Sequence, residues 1–182
     1  IAVAALSISR ENPNAIMVVM PSDHAIKDEA RFTEAVRRAA KVAASGRLVL
    51  FGIQPTEPNT GYGYIRQGAA LEGFNGAAFS VEAFYEKPDK ATAETYLKSG
   101  DYFWNSGIFV LNARTYLEEV ARLEPQILEA ARGALAGASE DLGFLRLDKK
   151  AFSAAPNISI DYAVMERTVA AAMLPLDVGW ND

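Results

Sequence analysis

The chain has 182 residues, half of them hydrophobic, enough to bury the core of one sizeable domain. Eighteen basic and 23 acidic side chains leave a net charge of −5, which argues against a broad nucleic-acid or membrane footprint but allows a small anion held by one or two local cations. With no cysteine and one histidine, His24, the chain has no disulfides, no thiolate catalysis, no cysteine-based zinc site and no multi-histidine metal site. No apolar run is long enough to span a bilayer, and no charged-then-apolar leader is present, so a cytoplasmic protein is expected. The sequence opens Ile1-Ala2-Val3-Ala4-Ala5-Leu6 and stops at Gly179-Trp180-Asn181-Asp182, both within what reads as regular structure. A fragment of a longer protein is the expectation.

In chain order, residues 1–9 are alanine-rich and favour a helix that ends at Asn12-Pro13-Asn14. Ile16 to Met20 is an unbroken apolar run closed by Pro21, as in a buried parallel strand. From Asp28 to about Ser45, Phe32, Ala35, Val36, Ala39 and Ala43 recur at helical spacing, and Gly46 closes the helix. Leu48 to Ile53 is a second apolar strand. Strand, helix, strand at this spacing predicts a βαβ unit and an α/β fold with parallel strands. Pro55 to Gly61 is turn material, and Gly61-Tyr62-Gly63-Tyr64-Ile65 opens the next strand. Residues 68–76 read as a loop and 78–86 as a strand. Asp89 caps a helix that runs to Ser99 and stops at Gly100. A strand is predicted over 108–111 and a helix over 113–136, broken near Pro125. Residues 142–152 are mixed, with Lys149-Lys150 exposed. Residues 159–168 read as a helix, and 169–178 include a strand interrupted by Pro175. No repeat, low-complexity tract or linker interrupts the chain.

Several residues have side chains suited to chemistry. Phe84-Tyr85-Glu86-Lys87-Pro88 sets an acid and a cation at a strand end, where α/β enzymes bind ligands, although solvated strand ends also carry such pairs. The proline should hold Lys87 extended. Asp23 follows a buried strand; it is placed either to ligate Mg²⁺ or to cap a turn. Asp182, after Trp180, is a partner ligand or a solvated end. Gly63 lets the backbone approach a ligand or simply turns the chain into a strand. Asn105, in Asn105-Ser106-Gly107, offers a donor and an acceptor suited to sugar hydroxyls, or serves a turn. His24 reads as structural, and Tyr102, Phe103 and Trp104 either stack on a ligand or join the core.

Six blocks occur in one order: Pro21-Ser22-Asp23-His24; Gly61-Tyr62-Gly63-Tyr64-Ile65; Glu86-Lys87-Pro88; Trp104-Asn105-Ser106-Gly107-Ile108-Phe109; Ser159-Ile160-Asp161-Tyr162-Ala163-Val164-Met165-Glu166; and Gly179-Trp180-Asn181-Asp182. Their order and spacing resemble the mannose-1-phosphate guanylyltransferases of the nucleotide-diphospho-sugar transferase superfamily. The last two blocks resemble the mannose branch rather than the glucose-1-phosphate enzymes. The resemblance implies a Rossmann-like, three-layer α/β fold with a mixed, mostly parallel sheet flanked by helices. Residues 1–182 would be the central and C-terminal part of a single nucleotidyltransferase domain, without the family's first strand and glycine-rich loop.

The implied reaction joins mannose 1-phosphate to the α-phosphorus of GTP, giving GDP-mannose and pyrophosphate. By resemblance, Asp23 and Asp182 would hold Mg²⁺ and Lys87 would contact the sugar phosphate. Glu86 would accept from sugar hydroxyls, with Asn105 and the Gly63 backbone holding the sugar. A homo-oligomer is compatible with this reading. Two alternatives stand beside it: another sugar-1-phosphate nucleotidyltransferase, and a non-catalytic sugar-nucleotide-binding regulatory subunit of the same fold. The fragment alone would be inactive.

Overall fold

The computed structural model describes residues 1–182. In chain order its elements are α1 (Ala2–Ser9), β1 (Ile16–Val19), α2 (Glu29–Ala44), β2 (Leu48–Ile53), β3 (Tyr64–Ala70), β4 (Phe79–Tyr85), α3 (Lys90–Ser99), β5 (Tyr102–Asn112), α4 (Ala113–Leu123), α5 (Pro125–Ala136), β6 (Ser139–Asp141), β7 (Phe144–Arg146), α6 (Lys149–Ser153), a π-helical turn (Asp161–Met165) and β8 (Ala171–Pro175). They fall into two compact units, Ile1–Ala15 with Asn112–Arg167, and Ile16–Leu111 with Thr168–Asp182.

The first unit is helical. Helix α1 packs on α4 and α5, and α6 packs on α5. The Asn112 side chain accepts from the Thr115 amide at 3.2 Å and starts α4. Pro125 sits in the first turn of α5, where its missing N–H costs nothing, so the expected break falls there. The helix expected over 159–168 shrinks to the π-helical turn, in which the Glu166 amide reaches back five residues to the Asp161 carbonyl at 2.9 Å. Three consecutive residues, Ala163, Val164 and Met165, are all buried.

The second unit is a six-stranded sheet in the order β1-β5-β2-β8-β4-β3, with β3 also bonded to β5. Strands β2 and β8 run parallel. The pairs β2–β5, β3–β4, β3–β5 and β4–β8 run antiparallel. The mixed α/β sheet was expected, but its predominant direction was not: these pairings are mostly antiparallel, and β5 lies between β1 and β2. Apolar runs mark burial and carry no strand direction, and that is why the βαβ pattern suggested adjacent parallel strands. Helix α2 packs on β1, β2 and β8 through Ala35, Ala39, Val42 and Ala43. Asp28 caps it, accepting from the Arg31 amide at 2.9 Å. Val49, Phe51, Ile108, Val110, Ala172 and Leu174 complete this core.

Strand β3 extends to Ala70, three residues into the expected loop. Strand β5 is longer than its apolar segment, because Tyr102 to Asn105 also pair. Opposite the single residue between Leu50 and Gly52, β5 places three between Phe109 and Asn105. The surplus forms a bulge. Gly107 takes φ +69° there, a left-handed conformation that glycine adopts freely.

Leu50 is wholly buried, whereas Val169 is 90% exposed. In the full-length protein, Leu50→Ala is expected to cost about 2–5 kcal/mol of unfolding free energy. Val169→Ala should change it by less than about 0.5 kcal/mol. Denaturant titration checks this, and equal losses would contradict the assigned core.

Candidate active site

Every sequence-predicted site residue lies in the sheet unit. After β1 the chain passes through Pro21-Ser22-Asp23-His24 to Ala25, which pairs with Asn181. The Ala25 amide donates to the Asn181 carbonyl at 2.8 Å, and the Asn181 amide donates back at 3.0 Å. The amides of Lys27 and Asp28 both donate to the Val178 carbonyl at 3.0 Å. Gly179, at φ +62°, permits this close approach, since a Cβ there would stand 2.9 Å from the Lys27 side chain. The loop after β1 is thus stitched to the segment after β8, and Asp23 and Asp182 lie on the two stitched segments.

His24 occupies the join. The Trp180 indole Nε1 donates to His24 Nδ1 at 3.1 Å, although the two residues are 156 positions apart. His24 Nε2 lies 3.2 Å from Asp182 Oδ1. The histidine side chain is 12% exposed and the aspartate 46%. Asp23 is exposed. The structural role read for His24 therefore operates inside the site. Sequence offered one weak signal, the placement of a lone histidine next to a candidate ligand.

The other cluster forms where β3, β4 and β5 meet. Tyr64 pairs with Tyr85 and with Trp104, so Gly63, Glu86 and Asn105 converge beyond those pairs. The Asn105 amide donates to the Gly63 carbonyl at 2.8 Å, and the Lys87 amide donates to the Tyr62 carbonyl at 3.2 Å. A Cβ on Gly63 would collide with Glu86 Oε2 and stand 3.3 Å from Asn105 Cβ. Glycine at 63 therefore leaves the space that the Glu86 carboxylate fills. The side chains of Glu86 and Lys87 are 11% and 61% exposed, and Lys87 Nζ lies 3.7 Å from Glu86 Oε1. The arrangement provides a mostly buried acceptor beside a solvated cation.

Lys87 departs from expectation. It has φ +48°, left-handed rather than extended. The proline does disfavour the right-handed helical region, but the Lys87 amide must turn back to reach Tyr62, and a left-handed residue achieves that reversal. Asn105 departs as well, lying within a strand rather than ahead of one. Its Oδ1 accepts from the Gly107 amide at 3.2 Å, and Ser106 Oγ accepts from the Ile108 amide at 3.3 Å. Side chains thus bond amides within the bulge.

Tyr62 links the clusters, a role its sequence context did not suggest. Its ring meets Trp104 edge-on at 5.1 Å and Trp180 at 5.5 Å. Burial, followed by the charges of Asp182 and Glu57, pushes its phenol above the usual value. Among the aromatics read as either ligand platform or core, Trp104 is buried and Tyr102 stacks on Tyr96 at 3.9 Å. Both pack as core.

The chain is similar to known proteins. The chain is 53% identical over 182 residues to the xanthan biosynthesis protein XanB of Xanthomonas campestris pv. campestris (strain B100). It is 50% identical over 185 residues to the mannose-1-phosphate guanylyltransferase ManC of Salmonella typhimurium (strain LT2). Each match takes in 100% of this chain and 38% of the relative, so the chain spans well under half of these curated relatives. A crystal structure of mannose-6-phosphate isomerase from Helicobacter pylori superposes with a TM-score of 0.86 at 32% identity, covering 100% of this chain and 68% of that one. The family model described as nucleotidyl transferase matches residues 1–182, the stretch that carries both clusters, and the chain belongs to that family.

Proposed function

We propose that the protein containing this chain transfers GMP from GTP to mannose 1-phosphate, giving GDP-mannose and pyrophosphate. The observation that carries this reading is the convergence of Gly63, Glu86 and Asn105 beside the exposed cation Lys87. A recessed carboxylate suits vicinal sugar hydroxyls, and a lysine ammonium suits a phosphate as a point charge. Half-identity to a relative named for this activity supports the choice of mannose. A phosphate oxygen of the sugar attacks the α-phosphorus of GTP, a P–O bond forms, and the bond to the β-phosphate oxygen breaks. The protein needs no covalent intermediate. Its tasks are to align two anions and offset their charge.

Asp23 and Asp182 fit the role of Mg²⁺ ligands. They are hard oxygen donors on stitched segments, both open to solvent, and Mg²⁺ takes one or two carboxylates while keeping several waters and substrate oxygens. When bound, the ion would neutralise phosphate charge. We assign the reaction to the cytoplasm, where GTP is available. No helix is long and apolar enough to cross a membrane.

Steady-state kinetics of the full-length enzyme test the sugar half. Lys87→Ala should raise KM for mannose 1-phosphate about 10-fold or more, the scale of a lost charge-assisted contact, and should change KM for GTP by less than about 2-fold. Equal changes for both substrates would remove the assignment. Gly63→Ala should displace Glu86 and impair mannose 1-phosphate use in the same selective way. Turnover of glucose 1-phosphate but not mannose 1-phosphate by the wild type would refute the proposed acceptor. Asp23→Ala should abolish Mg²⁺-dependent turnover, and an unchanged Mg²⁺ dependence would withdraw its ligand role.

A further inference from the structure

His24 is bonded from both sides, and chemistry dictates the sense of each bond. An indole N–H can only donate, so His24 Nδ1, 3.1 Å from Trp180 Nε1, must present its lone pair. A neutral imidazole with an unprotonated Nδ1 carries its hydrogen on Nε2. That nitrogen stands 3.2 Å from Asp182 Oδ1 and donates to it. Trp180 thereby selects the tautomer that makes His24 a donor to the carboxylate. The ring has little freedom to turn. Both ring nitrogens are bonded, and Trp180 also meets the ring edge-on at 5.4 Å and 83°. The β5 bulge lies close by: a Cβ on Gly107 would stand 3.7 Å from His24 Cε1.

We infer that His24 is a positioning residue for divalent-cation binding: Trp180 sets its tautomer, and its Nε2–H engages Asp182 Oδ1 so that the carboxylate is oriented towards a cation before one arrives. This rests on the reading of Asp182 as a cation ligand. A carboxylate at a chain segment beyond the last strand has free rotation about its side-chain bonds. One hydrogen bond from a held ring removes much of that freedom. Outer partners of this kind typically contribute 10–100-fold in metal affinity. A mere staple between the two stitched segments would contribute to stability alone.

The test uses the full-length protein, no substrate, and Mn²⁺ alone as an oxygen-preferring stand-in, with free Mn²⁺ followed by electron paramagnetic resonance. His24→Leu removes both bonds. His24→Gln keeps an acceptor for Trp180 and a donor for Asp182. Trp180→Phe leaves the imidazole but frees its tautomer. The expected result is a loss of about 10-fold or more in Mn²⁺ affinity for His24→Leu, recovery to within about 3-fold for His24→Gln, and an intermediate loss for Trp180→Phe. Thermal unfolding without metal provides the independent readout, since a staple would move the melting temperature and leave Mn²⁺ affinity unchanged. Wild-type affinity in His24→Leu, or equal affinity losses in the Leu and Gln variants, would overturn the inference while Asp182→Asn still weakens binding. If Asp182→Asn binds Mn²⁺ like the wild type, or the wild type binds none, the ligand reading of Asp182 fails, and the inference fails with it.

Discussion

Strand β5 must bond β2 along one half and β3 along the other, and its surplus residues around Ser106 and Gly107 are what let it do both. The left-handed Gly107 bends the strand at that point. The same bend brings the Asn105 amide to Gly63 and leaves a glycine surface under Pro21 and His24. Bulges commonly re-aim side chains next to active sites, and this one serves two clusters. Its cost is limited because Asn105 and Ser106, both buried, bond amides within it.

The Glu86–Lys87 pair is a poor stabilising device. Lys87 is largely exposed, and at 3.7 Å from Glu86 such a pair contributes about 0–1 kcal/mol. Against that stand the left-handed backbone of Lys87, about 1–2 kcal/mol for a residue with a Cβ, and the partial burial of a carboxylate. The ion pair itself therefore adds little to stability. Backbone outliers of this kind collect where function demands them, which agrees with a pair arranged for a ligand.

Aromatic packing couples the clusters mechanically. Tyr62 touches Trp104 on the Glu86 side and Trp180 on the Asp182 side, and each edge-on contact contributes about 0.5–1.5 kcal/mol beyond its buried area. Tyr64, Tyr85, Tyr96 and Tyr102 form a second aromatic group that fastens α3 over the β3–β5 junction. The clusters therefore rest on packed rings rather than on loose loop ends.

Local chemistry was legible in the sequence. Asp89 caps α3 through a bond to the amide three residues on, Gly100 stops α3 in the left-handed region, and Pro125 divides α4 from α5. Each of these effects acts within one turn of chain, so residue type and spacing suffice to specify it. The candidate residues Asp23, Gly63, Glu86, Lys87, Asn105 and Asp182 could be named for the same reason, from short blocks in order. Tertiary structure decided what depends on partners distant in sequence. Strand direction, the paired status of Tyr102 to Asn105, the left-handed turn at Lys87 and the Trp180–His24–Asp182 chain all arise from hydrogen bonds to other segments. A histidine alone does not reveal which nitrogen will be needed; the indole that folding brings against it does.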